Sequence, residues 1–212
     1  MAVSLPNGVV FAIAKTKAAP AVMSALTNAT DAVATVAGST IATNDIVIVQ
    51  SGWSNINERV AKVGATLKLL GIDTSDTTQF PSGMSAGKLI KVSEWQQVTQ
   101  VISSETSGGD QQFATYSFLE NDFETQIPTR TSPVVLTLSI ADDDTLPGYI
   151  ALKKAADGKE TQVVRATLPN GAALYYHAYI SVNETPSMTK DQVMAIGVTI
   201  SLIVRPTRYT KA

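Results

Sequence analysis

The chain has no cysteine and a single histidine, His177. Without cysteine there are no disulfides, no thiol catalysis and no thiolate metal site. One histidine rules out a two-histidine metal centre and leaves little for imidazole acid–base chemistry. Charged side chains are also scarce, at 16%, where soluble domains carry roughly 25%. The 16 basic and 18 acidic residues give a net charge of −2. That excludes a broad basic face of the kind that holds nucleic acid. Aromatics amount to only 6%. The longest apolar run near the start, Val9 to Ala14, is far short of a membrane span. That opening has no basic stretch and carries Pro6 and Gly8, which is not the pattern of a signal peptide. Two glycosylation-type triplets, starting at Asn28 and Asn183, carry no weight without a secretion signal.

What is abundant is small and β-prone. Serine and threonine make up about a fifth of the chain, and valine and isoleucine are frequent. At 212 residues the chain fits one domain, or one domain with a small insert. Most segments alternate with a period of two. Met194, Ile196, Val198, Ile200, Leu202 and Val204 form one apolar row, with small or polar residues between them. Val164 to Leu168 and Leu174 to Val182 read as a hairpin around Pro169-Asn170-Gly171. Val134 to Ile140, Lys88 to Ile102 and Thr115 to Leu119 are further strands, with Ser103 to Gln112 expected as a flexible polar loop. One segment reads as a helix, near 146–157, capped by Asp144 or Thr145 and ended by Gly158. Short strand candidates at 32–36, 45–50, 59–63 and 66–70 suggest a small β-unit over 21–87. The remainder, 1–20 and 88–212, forms the main body.

No stretch carries a convincing catalytic signature. Asp142-Asp143-Asp144 lacks the ligand spacing of a Ca²⁺ loop and reads as helix capping. Gly83 to Leu89 brushes against the phosphate-loop pattern but is one residue short, with Leu89 where a metal-holding hydroxyl belongs. His177 shares a strand face with Tyr175 and Tyr179. That face is expected to be an exposed contact surface rather than a catalytic one. Neither an enzyme nor a cofactor is expected. Charge is segregated: residues 88–160 carry six basic and eleven acidic groups, and residues 161–212 carry five and two. The acidic candidates are Glu105, Asp110, Glu120, Asp122 and Glu124. The basic ones are Arg205, Arg208 and Lys211.

From Trp95 onward the order of features resembles the tail tube (major tail) proteins of long-tailed, non-contractile bacteriophages, the siphophages. Trp95 to Ile102 is followed by a polar loop. Next come the acidic connector Phe118-Leu119-Glu120-Asn121-Asp122-Phe123-Glu124 and the Ile127-Pro128 turn, then the strand Pro133 to Ala141 and the helix from Leu146. The Leu168-Pro169-Asn170-Gly171 turn and the long C-terminal strand close the series, and Leu5 to Ala14 fits as an N-terminal strand. The resemblance implies an all-β subunit of two packed antiparallel sheets with one helix, a tail-tube-like β-sandwich or barrel plus a small inserted β-domain. It implies hexameric rings stacked into a tube, a virion component made in the host cytoplasm. Through the tube, double-stranded DNA passes without specific binding. Tape measure, tail tip and tail terminator proteins are the implied partners, with no membrane. The long C-terminal strand is then expected at a sheet edge, paired by ring closure. A different reading is a carbohydrate- or cell-surface-binding β-sandwich, with Trp53, Trp95 and the tyrosines as platforms.

Overall fold

The computed structural model describes residues 7–38, 40–120 and 122–211. The expected strand start at Leu5, and Asn121 of the acidic connector, lie outside them. In chain order the strands are β1 (Val10–Lys17), β2 (Ala21–Leu26), β3 (Ala32–Val36), β4 (Ile46–Ser51), β5 (Arg59–Val63), β6 (Lys68–Leu70), β7 (Gly87–Val98), β8 (Val101–Gly108), β9 (Gln111–Tyr116), β10 (Thr125–Thr131) and β11 (Val134–Ala141). The helix α1 (Pro147–Gly158) follows, then β12 (Gln162–Thr167), β13 (Ala173–Ser187), β14 (Ala195–Leu202) and β15 (Thr207–Tyr209). The all-β reading with one short helix holds.

Strands β2, β3, β6, β5, β4 and the first half of β7 close into a six-strand barrel, β2 and β4 both pairing with β7. Beyond Lys91, β7 pairs with β1 and opens the order β7-β1-β12-β13-β14-β11-β8. This seven-strand sheet cannot be flat. Its edge strands β7 and β8 are joined only by Thr99 and Gln100. Seven strands laid flat would hold the edges about 29 Å apart, yet three Cα steps span at most about 11 Å. The sheet therefore curls until its two edges meet at that corner, where Gln100 takes a φ of 58°.

The curl encloses the main core. Ile180, Ile200 and Leu136 stand side by side across β13, β14 and β11, and Val182, Val198 and Leu138 form the next row. Phe11, Val98 and Ala166 continue the core on β1, β7 and β12, and Leu152 and Ala155 of α1 pack into it. The helix approaches closely because of Gly148. A Cβ there would sit 2.6 Å from the Gln97 carbonyl oxygen. The helix cap differs from expectation. Leu146 is the N-cap and makes no side-chain cap bond. Asp143 instead binds the backbone N–H and hydroxyl of Thr145, a local turn that competes with capping.

The long C-terminal strand is not at an edge. β13 and β11 flank β14 on both sides. The edge is β8: the expected strand Lys88 to Ile102 breaks at Thr99-Gln100, and its second part runs on through Ser103–Gly108, expected as a flexible loop. Its Ser103-Ser104-Glu105-Thr106-Ser107 run holds one strand former, Thr106, and no apolar row, so only the ladder to β11 betrays it. The Thr125–Thr131 segment, expected as a connector and turn, is also a strand, paired with β9.

Burial on both faces explains the unbroken apolar runs of β4 and β1. In β4, Val47 and Val49 enter the barrel core while Ile46 and Ile48 face the curled sheet. In β1, Phe11 and Ile13 enter the main core and Ala14 faces the barrel. Truncation in the centre of the main core should be costly. Ile200→Ala is expected to lower unfolding free energy by about 2–5 kcal/mol, while Thr106→Ala on the exposed edge should change it by less than about 0.5 kcal/mol. Urea unfolding of the two variants measures both.

Candidate functional site

The aromatic face of β13 is not the open surface expected. Tyr175 is buried and His177 is 1% exposed; only Tyr179, at 50%, faces solvent. The face does look away from the main core, as alternation requires, but the six-strand barrel of the same chain covers it. Val60, Ile46 and Ile48 meet Val163, Val92, Ala14 and Tyr175 there. Tyr209 on β15 fastens the junction: its hydroxyl donates to the Leu70 carbonyl at 2.7 Å and accepts from the Lys62 N–H at 2.8 Å. Arg165 stacks over Trp95 at 4.6 Å, and Trp95 packs against Tyr175. Trp53 is buried edge-on against Phe80, its indole N–H given to the Pro81 carbonyl. Neither tryptophan is therefore free to serve as a sugar platform.

His177 sits inside this junction. Its Nδ1–H donates to the Glu58 carbonyl at 2.8 Å, the Glu58 carboxylate lies 3.4 Å from the same nitrogen, and Nε2 has no partner. Burial holds its pKa below the usual imidazole value, against the opposing pull of Glu58 and with a smaller push from Lys17. Lys17 is itself lowered by burial and donates to the Thr161 carbonyl.

The exposed surface lies elsewhere. β8 runs on into β9, and β10 into β11, so 101–141 is one long hairpin with a break at Gly108-Gly109 and Ser132-Pro133. Gly108 has φ +77°, and a Cβ on it would lie 2.0 Å from the Pro133 carbonyl oxygen, so glycine is required there. Beyond the break, β9 and β10 form an arm that makes extended contact only with itself. At about 3.4 Å per residue it stands roughly 20 Å out from its root. Every described residue from Gln111 to Thr131 is exposed. Among them are Phe113, Tyr116, Phe118, Phe123 and Ile127, with Leu119 fully in solvent. Such a patch is unusual on a free-standing subunit, and a two-stranded hairpin is barely stable alone.

The acidic candidates divide accordingly. Glu120, Asp122 and Glu124 lie on the arm tip among those apolar side chains, Asp110 at the root, and Glu105 on β8 opposite Thr137. Arg205, Arg208 and Lys211 are exposed after β14, away from the acidic tip. Sequence reading missed the arm because its β10 half carries Pro128 and its apolar residues fall on both faces, blurring the period of two. Five aromatics or leucines within 113–123 were the available signal.

The profile of one protein family, phage tail tube protein, matches residues 51–211. The chain belongs to the phage tail tube protein family. A tail tube protein is a structural component of the phage virion, not a class of enzyme. No curated relative matches the sequence. Among solved structures, the cap of the anti-feeding prophage, a tube-terminating cap, is 20% identical with a TM-score of 0.40; the match covers 54% of this chain and 83% of that one.

The tail tube protein's buried imidazole makes its stability pH-dependent. The folded-state pKa of His177 lies below its unfolded value of about 6.5. Its stabilising contribution is thus complete above that pH and falls as the unfolded chain takes up a proton below it. Stability should drop by up to about 1.4 kcal/mol per pH unit on going below pH 6.5. Urea midpoints between pH 7 and pH 5 should show this limb, and His177→Gln should flatten it.

Proposed function

We propose that this tail tube protein assembles into hexameric rings that stack into the tube of a siphophage tail, the conduit for genome ejection into the host. The observation that carries the reading is the arm. It presents six large apolar side chains to solvent on a hairpin too thin to bury them itself. Only another molecule can cover them, and a tube is built of many copies of one chain. The open edges support lateral joining. β8 has β11 on one side only, and β7 beyond Lys91 has β1 on one side only, among the described residues. Unpaired edges of this length are paired when rings close.

Charge supports stacking. Glu105, Asp110, Glu120, Asp122 and Glu124 belong to the segment of net −5, and Arg205, Arg208 and Lys211 to the segment of net +3. In a head-to-tail stack each joint brings one end of a ring to the other end of the next. The competing use of the same carboxylates is a lumen lining that keeps DNA sliding, since a basic wall would bind phosphates. Tyr179 is the remaining exposed member of the aromatic face available to a neighbour. We read 21–87 as a unit set outside the tube wall, on the face of the curled sheet opposite its core. Tape measure, tail tip and terminator proteins would meet the tube at its ends and lumen, after synthesis in the host cytoplasm.

Two variants test the reading. Leu119→Ser with Phe123→Ser should leave the subunit's melting temperature unchanged and abolish tubes in negative-stain microscopy; normal tubes would remove the arm from assembly. Reversing Glu120, Asp122 and Glu124 to Lys separates the two uses of charge. Loss of tubes with an intact subunit means stacking, whereas intact tubes in particles that eject DNA poorly mean lining. In the first case wild-type tubes should also weaken as rising salt shortens the Debye length below about 8 Å.

A further inference from the structure

Two arginines on the body of the subunit lack carboxylate partners. Arg59 on β5 is half-buried, and Arg205 is exposed just after β14. Arg205 lies close enough to disfavour the charge on Arg59, and no carboxylate pairs with either among the described residues. The Arg59 Nε is buried without an acceptor. Both line a groove of about 760 Å³ between the barrel and the C-terminal segment. Asp73 and Asp76 also line it; each accepts bonds within its own turn, from Ser75 and Thr78, and keeps its charge, so the cation without an opposing carboxylate beside it is Arg205 where it borders the neighbouring recess. On the other side of Arg205 a second recess of about 370 Å³ is lined by Pro133, Val134, Leu202, Ile203 and Val204, and Arg205 is its only charged group. Two guanidiniums beside an apolar shelf suit a ligand that carries carboxylates among apolar side chains. A guanidinium takes a carboxylate through two parallel N–H bonds.

The arm tip has that composition. Phe118, Leu119 and Phe123 stand beside Glu120, Asp122 and Glu124, all exposed. The tip cannot fold back onto this recess of its own chain, because Thr131 to Val134 at the arm's root form the recess wall and the tip stands roughly 20 Å beyond it. We propose that the Arg59–Arg205 groove and the adjoining Pro133–Val204 shelf form the acceptor for the acidic, aromatic arm tip of a second copy. The carboxylates of Glu120, Asp122 and Glu124 meet the guanidiniums, and Phe118, Leu119 and Phe123 cover the shelf. The inference rests on the reading that the arm joins copies, and it names where the arm lands.

The test uses the full chain. Arg59→Gln with Arg205→Glu should raise the concentration needed for tube formation at least tenfold in sedimentation. Combining it with Glu120→Lys, Asp122→Lys and Glu124→Lys should recover assembly. A groove variant that assembles normally, or a loss that the reversed tip does not rescue, overturns this acceptor. The arm reading still stands in that case if Leu119→Ser with Phe123→Ser abolishes tubes, and falls with it if that variant assembles. Cross-linking keeps the question answerable should the groove variant fold poorly. The chain has no cysteine of its own, so Leu119→Cys with Val204→Cys reports on one contact alone. Under mild oxidation it should give a ladder of covalent multimers, and each single variant at most a dimer. Only monomer from the double variant in assembled tubes overturns the proposal.

Discussion

The two-residue join between β7 and β8 governs the rest of the subunit. Seven strands connected edge to edge by Thr99 and Gln100 have no flat solution, so the sheet must close on itself around an apolar interior. The curl creates the core that Leu136, Leu138, Val198 and Ile200 fill. It leaves β8 as a free edge and starts the hairpin that becomes the arm. It also turns the outer faces of β1, β12 and β13 toward the barrel. The join is tolerated because the corner backbone finds partners: the Ala141 N–H bonds to the Gln100 carbonyl.

Burial on both faces explains the amino-acid choices of the middle strands. A sheet with one wet face alternates apolar and polar residues. β4 instead reads Ile-Val-Ile-Val, because one side feeds the barrel core and the other the junction. The same junction accounts for His177, Tyr175 and Tyr209: His177 and Tyr209 donate to backbone carbonyls of the barrel, and the Tyr175 ring packs edge-on against that of Tyr209. His177 Nε2, left without a partner, is the one imperfect fit among these rings, and it makes the junction sensitive to acid.

The parts of this fold visible in the sequence are those where one face is buried and the other wet. β11 and β14 follow the period of two closely, and Asn170-Gly171 marks the turn into β13. Burial by a distant part of the chain leaves no local trace. The Tyr175–His177 face looks solvent-exposed until the barrel, more than a hundred residues earlier in the chain, is laid on it. An edge strand of serine and threonine also looks like a loop, since its pairing with β11 is invisible to periodicity. The acidic connector was recognisable as a feature, but its place at the tip of a projecting hairpin depends on the glycine break at 108–109.

The way the barrel is tethered has a mechanical consequence. β7 passes from barrel to curled sheet without interruption, and β1 and β2 lie end to end along its flank, bridged by the bond from the Ala18 N–H to the Lys91 carbonyl. A pull on the barrel along this axis loads the flanking ladders lengthwise, so many hydrogen bonds must yield together rather than one after another. A sideways pull would instead unzip the junction from one end. The subunit should thus be stiff along β7 and weaker across it, a directional strength set by the path of one strand.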